Sequence, residues 1–322
     1  MRGTRVLLAG LALALGVLTG AAAETYPARP IRMVVPYPPA GANDLLGRLI
    51  GDRLSALLGQ PVVIDNRPGA NGIIGVELAK NSAPDGYTLV MGATGTHVIN
   101  PVLYNKLPYD AVKDFAPITL LGSAPIVVLV HPDVPARTVS ELVALSHAKP
   151  GSLNYAVGAS LFNLTMELFK HATGADITYV PYKGSVAALN GVLAGEAQVG
   201  CDIIQTPLGF LRDNRLRGLA VTGSARAFAT PDLPTMAEAG VPGLDVTGWS
   251  GLYAPAGTPP AIIATLDTTI RRVLEEPAVL ERLHQVGYER NALGPEAFAA
   301  LMRRETAQYA EIAEAAHIPK LD

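Results

Sequence analysis

Four reactive side chains stand at separate points of the sequence, and each could take part in catalysis: His97, Lys183, Cys201 and Asp202. His97 could be a general base, but no acidic residue lies near it in the sequence, which is typical of a structural histidine. Lys183 precedes a glycine in a predicted turn, where a lysine is usually just solvated. Cys201 continues an apolar strand and is interpreted as a small buried residue.

Asp202 ends that strand, where it could face a ligand cleft or cap the following segment. Known catalytic motifs do not connect these residues: GxSxG, the P-loop, CxxC and HxxxH are all missing from the sequence, and residues 69–75 read GxxGxxG, without dinucleotide spacing. No nucleophile, base and orienting group are assembled. We therefore predict no enzyme activity, no cofactor and no metal. An exported α/β enzyme that uses His97, Lys183 or Asp202 is the weaker alternative.

The clearest binding chemistry lies in residues 37–44, Tyr-Pro-Pro-Ala-Gly-Ala-Asn-Asp, which we call the elbow. It follows a β-branched strand at residues 32–35, and Asn43-Asp44 open a helix. A helix N-terminus carries unpaired backbone N–H groups and the positive end of the helix dipole, so the elbow suits a carboxylate or phosphate. The alternative is an ordinary strand-to-helix turn. The helix is predicted to place six leucines on one side: Leu45, Leu46, Leu49, Leu54, Leu57 and Leu58.

Strands and helices alternate after the elbow. Strands are predicted at residues 61–66 and 87–92, and a polar loop through residues 93–97 follows the second of them. This alternation favours a parallel α/β sheet, in which ligands bind beyond the carboxyl ends of the strands. The elbow and the polar loop are therefore expected to converge.

A second run of strands and helices starts at the apolar residues 124–130. It includes a loop that precedes a helix at residues 162–172, a strand at residues 197–202 and a helix at residues 235–239. The extended residues 246–253 then lead back to the first run. We predict two lobes with a hinge between them: residues 24–123 and 248–322 form lobe 1, and residues 124–247 form lobe 2.

The N-terminal residues 1–23 have the features of a cleaved secretory signal: Arg2 and Arg5, an apolar core and Ala21-Ala22-Ala23. No later segment is apolar over the ~20 residues that a spanning helix requires, so no membrane insertion is expected after cleavage. The net charge is −3 and basic runs are missing from the sequence, which excludes nucleic acid as an expected partner. The single cysteine excludes an internal disulfide. A monomer is expected.

Short segments in a characteristic order run through the chain after residue 25. They are Tyr26-Pro27-Ala28-Arg29-Pro30-Ile31-Arg32, Val34-Val35-Pro36-Tyr37 with the rest of the elbow, Gly59-Gln60-Pro61, Asn66-Arg67-Pro68-Gly69, Ala83-Pro84-Asp85-Gly86-Tyr87-Thr88-Leu89, Asn100-Pro101, Leu107-Pro108-Tyr109-Asp110, Lys113-Asp114-Phe115, Val180-Pro181-Tyr182-Lys183-Gly184, Leu219-Ala220-Val221-Thr222 and Gly251-Leu252-Tyr253-Ala254-Pro255-Ala256-Gly257-Thr258-Pro259. Each segment alone is weak evidence, but their order and spacing together are specific. The chain resembles the Bug family, the substrate-binding proteins associated with tripartite tricarboxylate transporters.

This resemblance implies an α/β protein with two lobes that close on an organic acid, as in type II periplasmic binding proteins. It also implies a periplasmic location and delivery of the ligand to the membrane components of the transporter. The same binding module could instead present its ligand to a membrane-bound histidine kinase, and the sequence leaves this alternative open.

The resemblance further implies that the elbow grips a ligand carboxylate, largely through backbone N–H groups and ordered water. The polar loop, the loop before the helix at residue 162, and an acid in lobe 2 complete the implied pocket. The expected ligand contacts are Tyr37, Pro39, Ala40, Gly41, Ala42, Asn43, Asp44, Thr94, Gly95, Thr96, His97, Gly158, Ala159, Ser160, Phe162, Asn163 and Asp202.

Two departures from the family pattern bear on the ligand. Ala40-Gly41 replaces a Gly-Gly pair, which is a small change unless the first position needs a positive φ. Leu161 and Phe162 stand where the family commonly has small polar residues. We therefore hypothesise a carboxylate ligand with an apolar or aromatic body, less polar than citrate or aspartate, with a dicarboxylate or an aromatic acid as candidates. The alternative is that Leu161 and Phe162 pack into the core of lobe 2.

Overall fold

The computed structural model describes residues 26–321, and the predicted signal at residues 1–23 lies outside this range. Ten strands are found within the described residues: β1 (Ile31–Val35), β2 (Val62–Asn66), β3 (Thr88–Ala93), β4 (Phe115–Val130), β5 (Asn154–Val157), β6 (Thr178–Pro181), β7 (Val199–Ile203), β8 (Arg217–Val221), β9 (Thr247–Pro255) and β10 (Glu289–Leu293). The α-helices are α1 (Ala42–Leu58), α2 (Ile73–Lys80), α3 (Asn100–Leu103), α4 (Val139–Ala148), α5 (Ser160–Thr173), α6 (Ser185–Leu193), α7 (Leu208–Arg212), α8 (Pro260–Glu275), α9 (Pro277–Gln285) and α10 (Pro295–Ala315).

The strands form one mixed sheet in the order β2-β1-β3-β9-β4-β7-β5-β6, and both β8 and β10 pair with β4. The outer parts are parallel, because β1 pairs with β2 and β3, and β5 pairs with β6 and β7. The strands β4 and β9 at the centre are antiparallel to their neighbours. The predicted parallel sheet is therefore confirmed at the two ends and wrong at the centre.

The long strand β4 joins the two lobes. Its first part, Phe115 to Pro125, pairs with β9, and from Ile126 onward it pairs with β7. Gly122 lies opposite Ser250 in this pairing, so the two chain crossings run side by side as an antiparallel ribbon. We call the part around β1, β2 and β3 lobe 1 and the part around β5, β6 and β7 lobe 2. The exact predicted boundaries stay a prediction.

Helix α1 lies on the sheet through its glycines. A Cβ at Gly47 would lie 3.3 Å from Val35 Cγ2, and one at Gly51 would lie 3.2 Å from Ile64 Cδ1. The helix axis therefore approaches the strands closely along this face. Of the six leucines predicted on one side of the helix, Leu45 is 47% exposed and Leu57 is 36% exposed, so these two lie at the edge of the buried face.

Other differences from the predictions occur where the sequence signal is weak. Residues 235–239 form turns, not a helix. The strand β10 was not predicted, because Glu289-Arg290-Asn291 is polar and lies at an exposed edge. The polar loop after β3 is wound into a π-helical turn, Gly95–Ile99. In the part of the chain that is described, no helix is both long and apolar enough to cross a membrane.

Candidate ligand-binding site

The elbow is held in shape by the buried carboxylate of Asp44, which is 2% exposed. Asp44 Oδ2 accepts hydrogen bonds from the Ala40 N–H at 2.9 Å and from Arg48 Nε at 3.0 Å. Its Oδ1 accepts one from Asn66 Nδ2 at 2.9 Å, and Asn66 Nδ2 also reaches the Tyr37 carbonyl at 3.2 Å. Both ends of the elbow are thus tied to one carboxylate.

The same network fixes the charge of Asp44. Burial alone would raise the pKa of this carboxyl, but hydrogen bonds from Arg48, the Ala40 N–H and Asn66, together with the Arg48 charge, outweigh it and lower the pKa. Asp44 is therefore an internal anchor whose two oxygens are already engaged.

Ala40 adopts the left-handed backbone conformation, with φ of 65°. At a positive φ, replacing glycine with alanine costs conformational free energy, because the Cβ approaches the following carbonyl oxygen. The exception stated for this position therefore applies, and Ala40 is more than a small change for the backbone. The hydrogen bond from the Ala40 N–H to Asp44 helps to hold the strained residue in place.

A cavity of about 50 Å³ lies between the elbow and lobe 2. Charged side chains are missing from its lining within the described residues. The lining residues are Tyr37, Pro38, Gly41, Ala42, Asn43, Ala93, Thr94, Gly95, Ala159, Leu161, Phe162, Ser185, Val186, Ile203, Gly248, Trp249 and Ser250.

Three helix N-termini meet at this cavity: α1 from lobe 1, and α5 and α6 from lobe 2. Their N-cap residues are Gly41, Ala159 and Gly184, and none of the three supplies a side-chain cap. Away from the cleft, by contrast, Thr138 caps α4 by accepting a hydrogen bond from the Glu141 N–H at 3.2 Å. The cavity therefore has a positive potential that comes from backbone dipoles and not from side-chain charges.

Hydrogen bonds between side chains and backbone shape the lobe 1 wall. Ser250 Oγ donates to Asn43 Oδ1 at 2.7 Å, and the Tyr288 hydroxyl lies 3.1 Å from Ser250 Oγ. The Trp249 N–H donates to Thr94 Oγ1 at 2.9 Å. The polar groups that line this wall are thereby fixed in orientation.

The lobe 2 wall is mainly apolar. Leu161, Phe162 and Ile203 are buried there, and Val186 is partly exposed. Leu161 and Phe162 both line the cavity and belong to the apolar core, so the two interpretations of these residues are not exclusive.

The two lobes are in contact beside the cavity. A Cβ at Gly184 would lie 2.7 Å from Pro38 Cγ, so only glycine permits this approach of the elbow to the turn before α6. Ser160 Oγ at the start of α5 donates to Asn100 Oδ1 in α3 at 2.7 Å. The lobes therefore stand close together around the cavity.

Similarity to known proteins agrees with this arrangement. Residues 46–318 match the family described as "Tripartite tricarboxylate transporter family receptor". The chain belongs to this receptor family. The protein BugT of Bordetella pertussis is 38% identical over 269 residues, which cover 83% of this chain and 82% of BugT. The resemblance to Bug proteins is confirmed.

Two solved structures of similar receptors carry organic acids. The structure of R. palustris Rpa4515 with adipate is 35% identical in sequence and has a TM-score of 0.89. The match covers 92% of this chain and 100% of Rpa4515. MatC from Rhodopseudomonas palustris with bound malate is 32% identical, with a TM-score of 0.86, and the match covers 89% of this chain and 99% of MatC. The predicted α/β fold with two lobes and a cleft between them is confirmed.

Several of the expected contacts line the cavity of this receptor: Tyr37, Gly41, Ala42, Asn43, Thr94, Gly95, Ala159 and Phe162. The other expected contacts do not belong to the cavity lining: Pro39, Ala40, Asp44, Thr96, His97, Gly158, Ser160, Asn163 and Asp202. Ser160 belongs to the first turn of α5 and not to the preceding loop, so this helix begins two residues before its predicted start at residue 162. Contact with a ligand stays a prediction for every one of these residues.

His97 lies inside lobe 1. Its ring stacks on Tyr253 with 4.1 Å between the ring centroids, and its Nδ1 lies 2.9 Å from Thr96 Oγ1. Burial lowers the pKa of His97 to about 3, so the ring is neutral. Its Nε2 is buried without a hydrogen-bond partner among the described residues.

Asp202 lies at the end of β7, behind Ser185. Its Oδ1 accepts a hydrogen bond from the Ile203 N–H at 2.8 Å, whereas its Oδ2 is buried and lacks a partner among residues 26–321. Burial raises the pKa of Asp202 to about 7, and the nearby Ser185 and Thr206 hydroxyls and the Ile203 N–H offset this only in part. Asp202 therefore titrates near neutrality.

The sequence analysis did not identify several residues of the receptor's cavity: Pro38, Ala93, Leu161 as a contact, Ser185, Val186, Ile203, Gly248, Trp249 and Ser250. A signal was available for some of them. The predicted turn at Lys183 and Gly184 ends directly before Ser185, and the extended segment that returns from lobe 2 must pass beneath the cleft between the lobes.

Proposed function

We propose that this receptor captures a small carboxylate between its lobes in the periplasm and delivers it to the membrane components of a tripartite transporter. The observation that carries the proposal is the convergence of the α1, α5 and α6 N-termini on one cavity lined by uncharged residues. Because two of these helices belong to lobe 2, an anion contacts all three only when the lobes are closed.

The ligand has an apolar body between its polar ends. Leu161, Phe162, Ile203 and the Trp249 ring supply apolar surface, and burying one side chain's worth of such surface contributes ~2 kcal/mol. The hydroxyl and third carboxylate of citrate would lose hydration against this wall. A linear aliphatic dicarboxylate fits best, with one carboxylate at the α1 N-terminus and the other at α5 and α6. An aromatic acid is the second candidate for the apolar body.

No chemical step is part of the proposal. His97 is neutral and enclosed in lobe 1, Lys183 is exposed outside the cavity lining, and the lining itself is uncharged among the described residues. A bound acid incubated with the protein should be recovered unchanged by mass spectrometry. Conversion of the acid that is lost in His97→Ala would overturn this part.

The function is testable through the fluorescence of Trp249, which lines the cavity and is the single tryptophan of the sequence. We expect a saturable fluorescence change with adipate, a weaker response with hexanoate, which lacks one carboxylate, and none with 1,6-hexanediol, which lacks both. Citrate should bind more weakly than adipate. Saturable binding of the diol with an affinity equal to that of adipate would contradict the anion site.

Two further features belong to the same proposal. We assign residues 24–123 and 248–322 to lobe 1 and residues 124–247 to lobe 2, because β4 changes its partner from β9 to β7 between Pro125 and Ile126. The receptor acts as a monomer after removal of residues 1–23. Light scattering that gives the mass of two chains would contradict the monomer.

A further inference from the structure

One hydrogen bond between the lobes is made entirely of buried protein groups. Ser160 Oγ, in the first residue of α5 in lobe 2, donates to Asn100 Oδ1, in the first residue of α3 in lobe 1, and the two atoms are 2.7 Å apart. Ser160 is 2% exposed and Asn100 is 0% exposed. Neither residue belongs to the cavity lining. The bond therefore connects the lobes beside the cavity and needs no atom of a ligand.

The orientation of the Asn100 amide is fixed within lobe 1. Its Nδ2 donates to the Asn71 carbonyl oxygen at 3.1 Å and to the Tyr109 hydroxyl at 3.3 Å. The Tyr109 hydroxyl can accept this bond because its own proton is donated to the Thr96 carbonyl oxygen at 2.6 Å. Both N–H donors of the amide are thus used, and Oδ1 is the atom that faces Ser160. These partners all belong to lobe 1, so the acceptor keeps its place when the lobes separate.

The lobes pack closely around this bond. A Cβ added at Gly95 would lie 3.6 Å from Ser160 Oγ and 3.9 Å from Leu161 Cβ. The backbone of the π-helical turn in lobe 1 therefore lies directly against the start of α5, and water has little access to the bond between Ser160 and Asn100. A polar group in such a shielded place is costly to leave unpaired.

Separation of the lobes changes the partners of two polar atoms. In the open state water can pair with both Ser160 Oγ and Asn100 Oδ1, whereas in the closed state each atom is the partner of the other. Removing one of the two groups leaves the other buried and unpaired only in the closed state. Loss of either group therefore disfavours the closed state and leaves the open state unchanged.

We propose that Ser160 and Asn100 form a latch that holds part of the unliganded receptor closed and raises its affinity for every ligand of the cleft by the same factor. The latch consists of protein groups alone, so it acts while the cleft is empty. A ligand that binds the closed state gains from any rise in the population of that state. The effect on affinity rests on the proposed function, whereas the effect on the unliganded receptor does not.

The first test measures the separation of the lobes without a ligand. Spin labels are attached at two exposed positions through Asn81→Cys in lobe 1 and Lys149→Cys in lobe 2, while the native Cys201 is buried. Pulsed electron paramagnetic resonance should show a closed and an open population in the otherwise wild-type receptor. Ser160→Ala should lower the ratio of closed to open receptor about tenfold, the size expected for one buried hydrogen bond.

A second variant and a control accompany this measurement. Asn100→Ala removes the acceptor and should lower the ratio of closed to open receptor to a similar extent, with circular dichroism to check that it is folded. Adding Ser160→Ala to Asn100→Ala should lower the ratio no further, because the same bond is lost in both. Ser140→Ala removes an exposed hydroxyl from α4 in lobe 2 and should keep the wild-type ratio.

The second test measures affinity through the fluorescence of Trp249. Ser160→Ala should weaken the binding of adipate and of hexanoate about tenfold each. The ratio of the two Kd values should stay that of the wild type, because the latch acts on the closed state and not on the ligand. A direct contact between Ser160 and a ligand carboxylate would instead change this ratio.

The latch is overturned if the unliganded wild type shows only the open distance, or if Ser160→Ala keeps the wild-type ratio of closed to open receptor. A change of more than about threefold in the ratio of the two Kd values would make Ser160 a ligand contact and also overturn it. If no acid binds to the wild type, the proposed function fails, and the distance measurements still decide the latch. The two failures are therefore distinguishable.

Discussion

The elbow in lobe 1 and the segment after β7 in lobe 2 differ in how fully their polar groups are paired. In the elbow, both oxygens of Asp44 are engaged by Ala40, Arg48 and Asn66. In the lobe 2 segment after β7, by contrast, Asp202 Oδ2, both Gln205 amide atoms and Thr206 Oγ1 are buried without partners among the described residues. The elbow is thus fixed by polar groups that are all paired, whereas the lobe 2 segment after β7 keeps several buried polar atoms unpaired.

The largest expected effect concerns pH. The folded-state pKa of Asp202 is raised to about 7, so the stability it contributes is present below about pH 4 and is lost as the pH rises through 7. The folded-state pKa of His97 is lowered to about 3, so its contribution is present above about pH 6.5 and is lost as the pH falls. The two groups, one in each lobe, therefore oppose each other between pH 4.5 and 6.5.

Single substitutions should separate these contributions. On acidification from pH 6.5 to 4.5, Asp202→Asn should lose stability relative to the wild type and His97→Phe should gain it, so that the two variants differ by roughly 5 kcal/mol. Urea unfolding at both pH values measures this. If the free energy of unfolding changes with pH in the same way in both variants, Asp202 and His97 do not oppose each other.

Asp44→Ala tests whether the hydrogen-bonded carboxylate of Asp44 stabilises the elbow. It leaves the Ala40 N–H and the Asn66 amide without their acceptor, and we expect a loss of about 3 kcal/mol in the free energy of unfolding, measured in urea. Asp52→Ala removes an exposed acid from the same helix and should change stability by less than about 0.5 kcal/mol. Equal effects of the two substitutions would show that Asp44 does not anchor the elbow.

Gly41→Val tests the anion grip. The backbone at Gly41 has φ of −78°, and a Cβ there meets only the Pro38 carbonyl oxygen at 3.6 Å, so the fold should persist while the side chain enters the cavity. Adipate affinity, measured by Trp249 fluorescence, should fall about 100-fold, or about 2.7 kcal/mol. Gly209→Val, at a position with open space, is the matched control. If Gly41→Val binds adipate as tightly as the wild type, the elbow does not contact the ligand.

Leu161→Ser tests the apolar wall. Replacing this buried side chain with a hydroxyl should lower the ratio of the citrate Kd to the adipate Kd about tenfold. Both Kd values are measured in one titration series. The ratio of the two Kd values is insensitive to any common loss of stability. Leu168→Ser, on the same helix but outside the cavity lining, should keep the ratio. If Leu161→Ser keeps the wild-type ratio of the two Kd values, residues other than Leu161 determine the selectivity for adipate over citrate.

Ala40→Gly gives the smallest effect and the opposite sign. It relieves the left-handed alanine and should raise the free energy of unfolding by about 0.5–1 kcal/mol. The control is Ala56→Gly in the exposed interior of α1, which should lower it by about 1 kcal/mol. Destabilisation by both substitutions would show that Ala40 is not strained.

The sequence was informative where local chemistry determines structure. The elbow was found from the sequence, because strand ends, glycines and helix-opening residues carry local signals. It was uninformative where distant residues meet. Asp44 was read as a ligand contact, since its ties to Asn66 and Ala40 depend on how β2 lies beside β1, and the unpaired state of Gln205 depends on packing between the lobes.

The ribbon formed by β4 and β9 limits how the lobes move. Its two strands are hydrogen-bonded to each other where the chain passes between lobes, and the register of pairing shifts between Leu120 and Gly122, just before the crossing. A pair of bonded strands bends across its flat face far more easily than it shears or twists, and an irregular register is a natural point of bending. We therefore expect the cleft to open mainly by bending of this ribbon. Ser250, which pairs with Gly122 at the register shift of this ribbon, also lines the cavity, so the connection between the lobes forms part of the cavity wall.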